Sequence, residues 1–331
     1  MENIALVTKQ DGELMAIGQI ANGRAAAGVF ADYRSRKAVN TLRRQDTELL
    51  NFARYLSLDA DLGSDPAAWR GVTWGLVDAF AKQAILDGWA LGTVNNHLST
   101  IKAYAKLAAK AGIVEVGELA LIRSVQGYGH KEGQRVDEKR KAANIPTRKG
   151  AKKVGFHVLS DAQAATIRAT CNPTTPQGRR DAVLLALLLD LGLRVSEAAG
   201  LRADDFDPAS GVLTVYRTKT GTTTRFTLCN GKLAALRTYY ENDNPTGQLL
   251  QGSRKSGVLE GGISERAIAA RVRSFGLLVG IADLSPHDLR HTAATRLAAR
   301  MNTRELQDFF GWNSPAMASR YIEAQTSIVV E

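Results

Sequence analysis

Apolar residues recur at helical spacing along most of the chain and change to a two-residue period over one short stretch. Within 31–56, Val39, Leu42, Leu49, Phe52, Ala53 and Leu56 fall near one face and predict a helix, with Asn40 and Thr41 as N-cap choices. Trp74, Leu76, Val77, Phe80 and Ile85 predict a second helix that starts near Thr73 and stops at Gly88. Val94, Leu98, Ile101, Tyr104 and Leu107 stripe a third over 93–111, whose other face carries Asn95, Asn96, Lys102 and Lys106. Residues 114–122 fit a fourth. Residues 1–28 are Ala/Gly-rich with weak periodicity and read as an extension, helical in part.

In the second half, Ser160 and Asp161 mark a helix start, and 181–191 form an apolar helix that Gly192 ends. Arg194 to Glu197 open another short helix. The β-branched runs 211–217 and 222–228 then flank Thr218-Lys219-Thr220-Gly221, the pattern of a β-hairpin. Helices resume over 232–240 and 264–279. Ser285-Pro286-His287-Asp288 supplies an N-cap, a proline at the first helical position and an acid at the third. Gly311 is a C-cap signal after 305–310, and Ser314-Pro315 restarts a helix that carries Tyr321. The longest apolar run, 182–193, is broken by Asp190 and Gly192; a bilayer span needs about 20 apolar residues, so no membrane partner is expected. The pattern contains no internal repeat and no glycine-rich phosphate loop.

Length and composition refine this picture. A chain of 331 residues, 44% hydrophobic and 23% charged, suits two globular domains and disfavours a disordered or fibrous protein. Cys171 and Cys229 are too few for a disulfide framework and point to a reducing compartment. The opening Met1-Glu2-Asn3-Ile4 lacks the basic and apolar regions of a secretory signal. His287 and His291 stand four apart without the intervening glutamate of a zinc hydrolase helix, and no metal is expected. The net charge of +10 is concentrated: 123–153 holds 10 basic and 3 acidic side chains, or +7. That stretch is poor in apolar residues and reads as a linker rather than a packed element, suited to a polyanion. The charge alone fits a solvated spacer or an acidic membrane surface as well.

Strong cations and a phenol sit beside structural punctuation at Arg194, Lys219, His287 with Arg290, and Tyr321. Each has an ordinary explanation: Arg194 pairs with Glu197, a hairpin-tip lysine is solvated, a helix-start histidine caps or packs, a tyrosine is half-buried core.

In order along the chain, however, these boxes resemble those of the tyrosine recombinase (phage integrase) family. LGLRVSEAAGL at 191–201 is similar to its first-arginine box, TKTGTTTRFTL at 218–228 to its lysine hairpin, LSPHDLRHTAATRLA at 284–298 to its H-x-x-R box, and FFGWNSPAMASRYIEA at 309–324 to its terminal tyrosine box. One departure stands at Trp312, where the family usually has histidine. An indole N–H donates a hydrogen bond but transfers no proton, so Trp312 is expected to bind and position.

The resemblance implies a mainly α fold with a small β-hairpin or sheet (an α+β catalytic domain). It divides the chain into an N-terminal extension (1–28), a helical SAM-like core-binding domain that binds DNA (29–122), a basic interdomain linker (123–155) and a catalytic domain with a C-terminal tail (156–331), the domains forming a C-shaped clamp on DNA. It implies a site-specific recombinase, integrase-like, that cuts and rejoins strands through a covalent 3′-phosphotyrosine, without ATP or another cofactor. Tyr321 is then the nucleophile, Arg194 and Arg290 neutralise the phosphate, and Lys219 is the general acid. His287 accepts a proton or bonds the phosphate, Glu197 orients Arg194, and His291 reads as structural. A phenol of pKa near 10 is mostly protonated at neutral pH, and adjacent cations are expected to lower that value. Arginine suits the charge because it is planar, bidentate and always charged. DNA contacts are expected from Arg43, Arg44, Asn95, Asn96, Lys102, Lys106, Lys139, Arg140, Lys141, Arg148, Lys149, Lys152 and Lys153. The expected partners are double-stranded DNA, a homotetramer on it with tail docking in trans, and accessory DNA-bending proteins, in the cytoplasm at the nucleoid. A type IB topoisomerase and a non-cutting DNA-binding regulator are the alternatives. The helical first domain and short tail argue against the former, the full reactive set against the latter.

Overall fold

The computed structural model describes residues 11–147, 155–254 and 257–323. The chain separates into two compact units, Met1–Lys152 and Lys153–Glu331.

The first unit is helical among its described residues: α1 (Asp11–Ser35), α2 (Val39–Tyr55), α3 (Trp74–Leu86), α4 (Leu91–Lys110), α5 (Val116–Ser124) and α6 (His130–Ala142), with a 3₁₀ turn at Pro66–Trp69. The central element is α4. The expected stripe on it is buried, and Phe52, Trp69, Phe80 and Ile122 close around it. Rings meet edge to face, Phe52 on Phe80 at 5.2 Å and Phe30 on Tyr104 at 5.5 Å, the geometry aromatic quadrupoles favour. α3 starts directly after Thr73 as expected, but α2 starts behind Ala38, before the anticipated Asn40 and Thr41, with the Ala38 carbonyl accepting from Thr41. The extension and the linker both contain helix. α1 runs across the expected boundary at 28, and α6 lies within the basic stretch. α6 is packed: Val136 rests against the core, and Arg140, 3% exposed, donates to the carbonyls of Trp89 and Pro146.

The second unit surrounds a core of leucines on α8 (Pro176–Leu185) and the π turn that continues it, Ala186–Asp190. The helix expected over 181–191 starts earlier, at Pro176, because the Thr175 hydroxyl accepts from the Gly178 amide, and it ends in that wide turn. Before it lies α7 (Asp161–Ala169), capped by Ser160; after it come α9 (Val195–Gly200), α10 (Asn230–Asp243), α11 (Glu265–Leu278), α12 (Pro286–Ala298), α13 (Thr303–Phe310) and α14 (Pro315–Glu323). Strands β1 (Phe206–Asp207), β2 (Val212–Arg217) and β3 (Thr222–Thr227) form an antiparallel sheet in chain order, and β4 (Gln251–Ser253) pairs with β5 (Leu259–Gly262). The β2–β3 hairpin is in register from Val212–Thr227 to Arg217–Thr222, which puts Lys219 in its connecting turn. Leu213, Val215 and Arg217 alternate onto the buried face of β2.

Candidate active site

The site is built where the π turn, α9, the β2 end, α12, and the α13–α14 corner of the second unit meet. After the π turn, Gly192 takes φ +58°. A Cβ there would lie 2.4 Å from Phe310 and 3.1 Å from the Ala293 Cβ, so only glycine lets the chain turn this tightly. The Gly192 carbonyl accepts from Arg290 at 2.5 Å, and the second guanidinium nitrogen donates to the Phe310 carbonyl at 3.0 Å. Arg290 therefore lies buried on α12, held by backbone at both ends. Its face stands 4.9 Å from the Phe310 ring and 5.8 Å from that of Trp312. Burial, with Arg194 close by, pulls this guanidinium below its usual range.

Arg194 is the N-cap residue of α9. Glu197 at the third helical position closes a reciprocal arrangement. One carboxylate oxygen accepts from the Arg194 amide at 2.8 Å, the other from its guanidinium at 2.6 Å. Glu197 does more than orient Arg194. Its carboxylate also pairs with Arg217 at 3.2 Å and stands 4.0 Å from Arg290. One buried carboxylate thus serves three arginines. Burial alone would raise the Glu197 carboxyl; the Arg194 amide and guanidinium, with Arg217, hold it below its usual range.

Arg217, one residue before the hairpin box at 218–228, also belongs to this cluster. It is fully buried, donating to Glu197, to the Phe309 carbonyl at 2.6 Å and to the Thr224 hydroxyl at 3.0 Å. It fills the space beneath Gly311, where a Cβ would lie 2.3 Å from its Cδ. Gly311 closes α13 at φ +58° and turns the chain toward Trp312. The available signal was the alternation of β2, which puts a cation in register with Leu213 and Val215 on the inner face.

Trp312, 9% exposed, is sandwiched between Phe310 at 4.7 Å and Tyr321 at 5.4 Å, the latter rings 2° from parallel. Tyr321 lies on α14, half-buried. The cations were expected to lower its pKa. Burial instead raises it, and Arg290 offsets only part of that. Its hydroxyl lies 2.5 Å from Nδ1 of His291, not on His287. His291 Nε2 in turn lies 3.0 Å from His287 Nε2, and Phe156 stacks on the His291 ring at 4.1 Å. The second histidine, read from sequence as structural, is the phenol's direct neighbour.

The structure therefore draws together Arg194, Glu197, His287, Arg290, Trp312 and Tyr321, adding Arg217 and His291. Lys219 stands exposed at its hairpin tip, and among the described residues no hydrogen bond joins it to the others. A cluster with a phenol, two imidazoles and three guanidiniums fits a phosphate diester: strong cations for the non-bridging oxygens, an oxygen nucleophile and a proton acceptor. Among the described residues no group of His, Cys, Asp or Glu is arranged to hold a metal ion.

The expected DNA contacts in the first unit divide. Asn96, Lys106, Lys139 and Lys141 are exposed. Arg43 lies near the Asn40 side chain and Arg44 pairs with Glu48 at 2.8 Å. Three assignments meet competing structural work. Arg140 is buried and spent on backbone carbonyls. Asn95 holds both the amide and the carbonyl of Tyr128, and Lys102 donates to the Val125 carbonyl. Arg148, Lys149, Lys152 and Lys153 lie outside the described residues, as does the tail after Glu323.

The Phage integrase family profile matches residues 157–327. Tyrosine recombinase XerD of Neisseria meningitidis serogroup B is 31% identical over 174 residues, 51% of this chain and 55% of that protein. The chain thus spans about half the length of this curated relative. A lambda integrase dimer bound to a COC′ core site shares the fold with a TM-score of 0.59 at 16% identity, over 91% of this chain and 96% of that one. A lambda integrase tetramer bound to a Holliday junction aligns with a TM-score of 0.58 at 15% identity, over 95% and 83%. With more than half of its residues matched by the family profile, and that half holding every residue of the cluster, the chain belongs to the phage integrase family of tyrosine recombinases.

Proposed function

We propose that this chain is a site-specific DNA recombinase, which cuts and rejoins duplex DNA through a covalent 3′-phosphotyrosine at Tyr321 and exchanges strands between two duplexes. The observation that carries the reading is the Tyr321 phenol, stacked on Trp312 and bonded to a histidine, beside the paired guanidiniums of Arg290 and Arg194. The arginines bind the non-bridging oxygens and gather the charge that grows as the phenol attacks. Trp312 holds the phenol ring and covers Arg290. Lys219 protonates the departing 5′-oxygen from its hairpin. The covalent bond keeps the energy of the broken one, so a 5′-hydroxyl of a second duplex reseals it without ATP.

Each chain supplies one Tyr321, so exchange between two duplexes calls for a homotetramer; the lambda integrase tetramer on a Holliday junction supports this by likeness of fold. Accessory DNA-bending proteins and docking of the tail on a neighbour belong to the same reading, as does a mobile element as its genetic home. The free Cys171 and Cys229 support a reducing compartment, the cytoplasm and its nucleoid.

A nicked suicide duplex carrying the target site, recovered by selection of bound genomic fragments, tests the reading. Wild-type protein should become covalently attached and Tyr321→Phe should not. An adduct of undiminished yield in Tyr321→Phe refutes it.

A further inference from the structure

His291 has no task in the scheme above, yet it touches the reacting oxygen. It follows Arg290 on α12, one turn beyond His287, and Phe156 fixes its ring at 8° from parallel. Among the described residues, His291 Nδ1 is the hydrogen-bond partner of the phenol, and in the tautomer that leaves Nδ1 bare the O–H donates to it. A neutral imidazole carries a single N–H. With Nδ1 accepting, that proton sits on Nε2, and across the 3.0 Å contact His291 donates while His287 Nε2 accepts. A single line runs from the phenol through His291 to His287, which is exposed.

We propose that His291 is a catalytic residue, the group that takes the Tyr321 proton and passes charge through its ring to His287. The proposal rests on the recombinase reading. As the Tyr321 oxygen bonds to phosphorus, its proton moves to His291 Nδ1 and the Nε2 proton moves to His287 Nε2. The bond from phosphorus to the 5′-oxygen breaks, and that oxygen takes a proton from Lys219. The histidine pair gains one proton and the lysine gives one up, so charge balances. Resealing runs the line backwards: Lys219 takes the proton of the attacking hydroxyl, and the pair returns one to the phenol.

The charged and titratable groups acting on His291 are His287, Asp288 and Arg290 from its own helix and Tyr321 from α14. Phe156, packed on its ring, brings no charge. Burial first, then His287, holds the His291 imidazole below its usual range, so it is neutral and able to accept at pH 7.

The test is single-turnover adduct formation by the full chain on the suicide duplex, across pH. His291→Gln should form adduct about 10²–10⁴-fold more slowly while binding duplex normally. His291→Ala should be equally slow, and added imidazole should restore it in proportion to the neutral fraction of the imidazole. A wild-type rate in His291→Gln overturns the proposal. So does a slow His291→Ala protein that binds duplex normally and gains nothing from imidazole. A readout without variants at this position uses ¹⁵N-histidine-labelled protein: His291 Nδ1 should resonate as an unprotonated nitrogen and Nε2 as a protonated one. The opposite tautomer overturns the proposal. Failure of the recombinase reading looks different, since wild-type protein then yields no adduct or Tyr321→Phe still yields one.

Discussion

Glu197→Gln isolates the single carboxylate on which the three arginines depend. The substitution keeps size and shape but removes the charge. A glutamine oxygen in the place of Oε2 still accepts from the Arg194 amide and Arg217, while its NH₂ faces the Arg194 guanidinium that now donates at 2.6 Å. Arg217 is fully buried and Arg290 nearly so, which leaves both short of compensation. Breaking a buried ion pair by removing one partner costs about 3–5 kcal/mol. For a unit of this size that corresponds to a fall in melting temperature of roughly 6–20 °C. Trp312 is the only tryptophan in residues 153–331, because Trp69, Trp74 and Trp89 lie in the first unit. The ¹⁹F signal of Trp312 in 5-fluorotryptophan-labelled protein, assigned by Trp312→Phe, therefore follows unfolding of the second unit alone. Sulfate should recover more stability in the variant than in the wild type, since the cluster has gained one uncompensated positive charge. A loss below about 1 kcal/mol, with no difference in the sulfate effect, would refute the view that Glu197 holds the arginines in place.

Gly192→Ala forces an L-residue to φ +58° against the Phe310 ring and displaces the carbonyl that anchors Arg290, so it should cost about 2–5 kcal/mol in a denaturant melt; a neutral result would show that the π turn relaxes freely. Lys219→Ala removes an exposed side chain and should leave melting and duplex affinity unchanged while slowing cleavage about 10²–10⁴-fold; a collapse of binding would make Lys219 a phosphate anchor instead. Arg140→Ala leaves the Trp89 and Pro146 carbonyls without their donor and should destabilise the first unit by about 1–3 kcal/mol without changing the salt slope of DNA binding, whereas removing both exposed Lys139 and Lys141 should flatten that slope and spare stability.

What could be read in advance follows the range of the forces involved. Caps and breakers act locally, so Ser160, Ser285 and Gly311 announced their helix ends in the sequence, and the hairpin was visible from its turn. Segments whose pattern is polar but whose packing is tertiary were misread. α6 has little apolar periodicity and looked like a linker; it is held by Val136 and by one buried guanidinium that reaches back 51 residues to Trp89. The same length of reach hid Arg217, whose partner carbonyl at Phe309 lies 92 residues away. His291 was hidden differently. Spacing put it on the same helix as His287, but which of the two imidazoles meets Tyr321 depends on the side α14 approaches from, and no local signal encodes that. The Tyr321 pKa was misjudged because burial, which outweighs Arg290 here, is a property of the packed corner rather than of neighbouring residues in the chain.

The cluster also explains why so much buried charge is tolerated at one corner of the second unit. Three guanidiniums against one carboxylate leave an excess of positive charge in a partly dry setting, and both Arg217 and Arg290 are pulled toward the neutral form by burial. The cost is limited by giving those two cations backbone carbonyls as well as Glu197: Phe309 for Arg217, Gly192 and Phe310 for Arg290. Those three carbonyls belong to the π-turn exit and the end of α13, the two places where Gly192 and Gly311 turn the chain. The glycines, the carbonyls and the arginines therefore form one device. The turns aim the carbonyls, the carbonyls hold the cations, and the excess charge is left for an anion to neutralise, so the corner is electrostatically prepared for an anion before one arrives.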